Sequence, residues 1–189
     1  LATHDIDLTA WLLGTHYTSV TASAQHPHGG HHEHLAAIIA QLANAATAEH
    51  HVAWTTPNRI RTITLNGQHG QLHADLLRAT LHVTLFADPR RAPRSLSLAP
   101  TDPLIIQHQA FHALLRGEPA TCATLLDARH TVATTTAARH ASQAGEWKPV
   151  DSTWALFLKY ETNRTTGTPC WTRRLAVGFF IAIRPCTRG

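Results

Sequence analysis

The stretch Leu1-Ala2-Thr3-His4-Asp5-Ile6-Asp7-Leu8-Thr9-Ala10-Trp11-Leu12-Leu13-Gly14 decides how the rest of the chain is read. Ile6, Ala10 and Leu13 fall at i, i+4 and i+7, with Leu8 and Leu12 beside them, which is the spacing of one helix face turned to a core. Gly14 is placed to end that helix. On spacing alone, His4-Asp5-Ile6-Asp7 is an ordinary polar helix start. The first turn nevertheless carries unpaired backbone N–H groups and the positive end of the helix dipole, which favour a neutral imidazole able to accept or share a proton.

Downstream of Gly14 the period changes from helix to strand. Thr18 to Ala24 alternates Ser/Thr with Val20, Ala22 and Ala24, the pattern of a half-buried strand, and Pro27, Gly29 and Gly30 break it. His34 to Leu42 reads as either strand or short helix. Thr47 to Thr55, Ile60 to Leu65, Gln71 to Leu77 and Thr80 to Phe86 follow as strands. The second and third of these are joined through Asn66-Gly67, a hairpin signal because its turn needs positive φ. Connections this short favour antiparallel pairing. Asp88 to Pro100, with three Pro and three Arg, reads as a solvated loop.

Two helices are expected after that loop. Thr101 or Asp102 caps the first, Pro103 occupies its first turn, and Leu104, His108, Phe111 and Leu115 share a face before Gly117. Thr124 with Asp127 resembles a capping box for the second, whose inward positions are expected at Leu125, Ala128, Val132 and Thr135. The fold class is therefore α+β, an open, mainly antiparallel β-sheet with both helices packed on one face. The opposite face is expected to meet a further surface, since His50, Val52, Trp54 and Ile63 lie along its strands.

Composition divides the 189 residues near Gly145. Residues 1–145 carry nine Arg and nine acidic side chains, whereas residues 146–189 carry seven basic and three acidic ones, so the net +4 resides wholly in the second part. All sixteen His precede residue 146, and both Lys follow it. This marks 1–145 as a domain and 146–189 as a tail of different character. Within it, Trp154 to Tyr160 and Leu175 to Ile183 read either as edge strands or as a segment that does not pack, with low order expected.

Several function classes are disfavoured. Arg90, Arg91 and Arg94 lack interleaved aromatics, and the body has no net charge, so no nucleic-acid surface is expected. No apolar run is long enough for a membrane helix and no signal peptide is evident, which points to a soluble cytoplasmic protein. Cys122, Cys170 and Cys186 form no C-x-x-C, so free thiols are expected; a Cys170 to Cys186 bridge is the alternative. His26, His28, His31, His32 and His34 lie in a Gly/Pro-broken loop without a fixed second shell, so no metal site is expected beyond tag-like binding.

Thr3-His4-Asp5-Ile6-Asp7-Leu8-x-x-Trp11-Leu12-Leu13-Gly14 resembles the segment that opens the C-terminal domain of the Gfo/Idh/MocA sugar and cyclitol dehydrogenases. Arg59-Ile60-Arg61, Gly67-x-x-Gly70-x-Leu72-x-x-Asp75-Leu76, Asp102-Pro103-Leu104 with Ala110-Phe111, and Ser142-x-x-Gly145 extend the resemblance in register over residues 1 to 145. The resemblance implies a strand at His34 to Leu42. It also implies a substrate-binding and oligomerising domain that pairs with itself or an intact relative through its open sheet face. It makes His4 the catalytic histidine of a D-x-x-x-H pair and places His4 and Asp7 at the sugar or cyclitol substrate.

The Asp of that pair would fall immediately before Leu1. The family's Glu-Lys-Pro and a G-x-G-x-x-G fingerprint do not occur in this sequence, so no cofactor-binding residue is assigned and NAD(P) is expected only for the full-length family. The expectation is a truncated oxidoreductase, inactive alone. A non-catalytic, sheet-mediated dimerisation module is the alternative.

Overall fold

A computed structural model describes residues 2–27, 33–87, 94–97, 102–151 and 180–184. In chain order the described elements are α1 (Thr3–Leu13), β1 (Tyr17–Gln25), β2 (Leu35–Leu42), β3 (Thr47–Ala53), β4 (Thr62–Gly67), β5 (Gly70–Asp75) and β6 (Thr80–Leu85), followed by β7 (Arg94–Ser97), α2 (Pro103–Leu115), α3 (Leu125–Ala144), β8 (Lys148–Pro149) and β9 (Phe180–Arg184). The nine strands form one open sheet in the order β7-β6-β5-β4-β9-β3-β2-β1-β8. Every neighbouring pair is antiparallel except β3 with β9. The α+β architecture expected from the periodicities is the one found.

The core lies where β1, β2 and β3 meet α1 and α3. Val20, Ile38, Ala40, Leu42, Ala48 and Val52 alternate onto the helix-facing side of the strands and join Ile6, Ala137 and Ala138 in one cluster. Ala40 sits opposite Ala48 in the β2–β3 register, and Ala137, Ala138 and Ala141 are buried on α3. Such small residues let a helix approach a sheet closely.

Ile6, Ala10 and Leu13 of α1 pack on the core as expected, with Leu8 beside them, whereas α3 turns a different face inward. α1 buries Asp5, Ile6 and Thr9, leaves Leu12 and Trp11 exposed, and ends at Gly14 in the left-handed region at φ 57°. α3 buries His130, Thr131, Thr134, Ala137, Ala138 and Ala141, while Leu125 and Val132, expected to point inward, are 90% and 60% exposed. The close helix-to-sheet spacing selects the Thr and Ala stripe over the bulkier one. Thr124 and Asp127 form the expected capping box. The Asp102 side chain accepts from Leu104 N at 2.9 Å to cap α2, but α2 buries no residue, so the sheet is covered by α1 and α3 and not by α2.

Three further differences bear on sheet layout. Residues 94–97, read as loop, form the edge strand β7, and Arg90 and Arg91 lie outside the described residues. The β4–β5 hairpin turns through Gln68-His69 with Gly67 opposite Gly70, and Gly67 does not need positive φ. Gly70 is required for another reason: a Cβ there would run into the Thr84 carbonyl oxygen of β6. His50, Val52 and Ile63 are buried with the core rather than turned to the open face.

The two described pieces of residues 146–189 join the sheet, β8 at the edge beside β1 and β9 between β3 and β4. Trp154 to Tyr160, Cys170 and Cys186 lie outside the described residues.

Candidate functional site

α1 starts at Ala2 without a side-chain cap, so its first turn is held by backbone bonds such as Ile6 N to Ala2 O at 2.9 Å. His4 is exposed on that turn. Asp5, one residue on, points inward with its Oδ1 3.8 Å from Arg61 Nη2. Burial raises the Asp5 pKa, and the charges of Arg61 and His4 draw it back down. Asp7 lies one turn beyond His4 on the same side of the helix, the i, i+3 relation. Its Oδ1 accepts a hydrogen bond from Thr131 Oγ1 at 3.3 Å, tying α1 to α3.

A cavity of about 520 Å³ opens between the second half of α1, the segment before α3 and the start of α3. Asp7, Trp11, His16, Cys122, Asp127 and His130 are among its walls, and His4 is not. Asp7 therefore stands at the boundary between the exposed imidazole and the cavity. Cys122 is a free thiol, half-buried. A smaller cavity of about 260 Å³ lies between α3 and the β1–β2 surface, with Arg139 and Glu33 on its wall.

Beneath the cavity runs a polar network that the sequence reading did not identify. Tyr17 N donates to His130 Nε2 at 3.0 Å across 113 residues, and the Tyr17 hydroxyl shares a 2.9 Å hydrogen bond with His50 Nε2. The Tyr17 and His130 rings stack with centroids 5.6 Å apart, and His16 meets His130 edge-on at 6.1 Å. Burial lowers the pKa of both His50 and His130 to about 4, with His51 reinforcing the first and His16 the second, while Asp127 opposes it at His130. Burial likewise lowers His16 and raises the Tyr17 phenol. The alternation of His50 with Ala48 and Val52 was a usable signal for its burial. None marked His130, which sits among polar neighbours in a helix of low hydrophobicity.

The described residues do not fit a dinucleotide. The starts of α2 and α3 are closed by Asp102 and by the Thr124–Asp127 box, and no helix among the described residues follows a glycine-rich strand-to-helix turn that could cradle a pyrophosphate. Among the described residues no group of three or more His, Cys, Asp or Glu is placed to hold a metal ion, and no helix is long and apolar enough to cross a membrane.

Comparison with known proteins places this geometry. Residues 1–73 match the family model described as GFO/IDH/MocA C-terminal domain. Among curated proteins no sequence matches. The fold is similar to that of UDP-N-acetylglucosamine 3-dehydrogenase from Acidithiobacillus ferrooxidans, at 25% identity and a TM-score of 0.68 over 76% of this chain and 46% of that one. It is also similar to levoglucosan dehydrogenase solved with NADH and levoglucosan (20% identity, TM-score 0.66, 79% and 49% covered). A third similar structure is an oxidoreductase domain protein from Kribbella flavida (17%, 0.66, 80% and 49%). The chain spans about half the length of these solved structures. The resemblance carried by the opening stretch thus holds over residues 1–73, which match the Gfo/Idh/MocA C-terminal domain, and the chain shares its fold with these solved structures.

Proposed function

We propose that this chain supplies the substrate-facing, subunit-pairing part of an NAD(P)-dependent dehydrogenase that oxidises a hydroxyl of a sugar or cyclitol in the cytoplasm. One observation supports this most: His4, inside the matched residues 1–73, is exposed on the first turn of α1, with Asp7 one turn on and fixed by Thr131. In such a reaction the alcohol carbon gives up hydride to the nicotinamide and the hydroxyl gives up a proton. His4 holds or shares that proton, and Asp7 accepts a hydrogen bond from a neighbouring hydroxyl. The hydride acceptor and the principal base have no counterpart in residues 1–189, so these residues alone bind substrate without turning it over. Pairing runs through the sheet face away from α1 and α3, where Leu35 and Ile39 are exposed on one side of β2.

Proton NMR on the whole chain tests this reading, with the His4 ring resonances assigned by loss in His4→Gln. Glucose or an inositol is expected to shift them at millimolar concentration, and Asp7→Ala to abolish the shift. Ring resonances unmoved by every sugar and cyclitol would remove the proposed function.

A further inference from the structure

We infer that the substrate held beside His4 carries an ammonium group, as in an amino sugar or aminocyclitol, and that the cavity between α1 and α3 receives it; this rests on the dehydrogenase reading above. The cavity, at about 520 Å³, is of a size that encloses a small ligand. Its charge has one sign. Asp7 and Asp127 line it, no Lys or Arg does, and burial keeps the His16 and His130 imidazoles neutral near pH 7.

Each carboxylate is anchored through one oxygen and offers the other. Asp7 Oδ1 takes the Thr131 hydroxyl, and Asp127 Oδ2 takes Thr124 N and Oγ1, both at 2.7 Å. Trp11, 62% exposed, contributes an indole to the same wall, a surface that attracts an organic cation. A hydroxyl group could also bond to these carboxylates, but only a cation gains from their charge, and a phosphate would be repelled. Because Asp7 stands one turn from His4, a single sugar ring can reach from the imidazole into the cavity.

The test titrates the whole chain with glucosamine, glucose and glucose phosphate, at a pH below the amine's own pKa, reading the His4 ring and the Trp11 indole by NMR. Glucosamine is expected to bind about tenfold more tightly than glucose, and glucose phosphate most weakly. Asp7→Asn keeps an acceptor for Thr131 and should erase the preference for glucosamine; Trp11→Leu, at an exposed position, should reduce it without affecting the fold. Equal affinity for glucosamine and glucose, or tightest binding of glucose phosphate, would overturn the inference while leaving the dehydrogenase reading intact. No response at His4 to any of the three would remove both.

Discussion

Polar groups are buried in one half of the sheet and apolar groups are exposed in the other. Where β1, β2 and β3 pack under α1 and α3, His50, His130, Thr9, Thr131, Thr134 and Asp5 are all buried. Across β5, β6 and β7, Leu72, Leu85 and Leu96 remain exposed, as do Leu104, Ile105 and Phe111 of α2. Strand alternation runs through both halves; what differs, among the described residues, is whether a helix lies on top. Cover by α1 and α3 fixes burial, and there His130 Nε2 and His50 Nε2 each hydrogen-bond to Tyr17 while the Thr134 hydroxyl donates to the His130 carbonyl.

Acid provides the strongest way to break this contrast. Tyr17 N–H donates to His130 Nε2, so that nitrogen must be unprotonated, and both His130 and His50 titrate at about 4 in the folded chain against 6.5 when exposed. Between those values the unfolded chain binds protons that the folded chain does not. Stability therefore falls as pH drops through the window from about 6.5 to about 4, by at most roughly 3 kcal/mol per imidazole. Asp5 acts with opposite sign, since its raised pKa favours the fold in acid, and so offsets part of the loss. Urea midpoints measured across this range should fall with pH. A flat profile would mean that these two rings are not shielded by α3.

Truncation compares the halves directly. Ile6 is fully buried in the cluster under α3, so Ile6→Ala should cost about 3 kcal/mol in urea unfolding. Leu85, of the same bulk but 50% exposed on β6, should cost under about 0.5 kcal/mol as Leu85→Ala. Comparable losses at the two sites would show that β6 is covered in solution.

The same contrast explains what could be read from residues alone. Strand and helix positions were legible because alternation and capping are local: Asp102, the Thr124–Asp127 box and Gly14 each act within four residues of themselves. His4 and Asp7 were singled out only through their motif context, and the structure leaves His4 exposed and puts Asp7 on the cavity wall. The inward face of α1 was legible from Ile6, Ala10 and Leu13, whereas that of α3 was not, because Thr134 and Ala141 are chosen by the fit to a sheet formed by residues distant in sequence. His130 pairs with Tyr17 over 113 residues, and no periodicity encodes that. The edge strand β7 escaped because Arg94-Ser95-Leu96-Ser97 acquires its strand character from pairing with β6.

Two alanines held at positive φ provide the finest comparison, since one lies in each half. Ala45, at φ 64°, turns β2 into β3, where Asn44 Oδ1 accepts from Ala46 N at 3.1 Å; Ala79, at φ 51°, precedes β6 after the Asp75 turn. An L-residue in this region is strained by about 1–2 kcal/mol, and glycine removes the strain while adding about 0.5–1 kcal/mol of unfolded-chain entropy. Ala45→Gly should therefore gain about 0.5 kcal/mol in the global urea midpoint, because β2 and β3 belong to the buried core. Ala79→Gly relieves similar strain in strands with few buried contacts, so its gain should appear as slower amide exchange across β5 and β6 with the global midpoint unmoved. Equal midpoint shifts for the two variants would make the sheet a single cooperative unit despite its uneven cover.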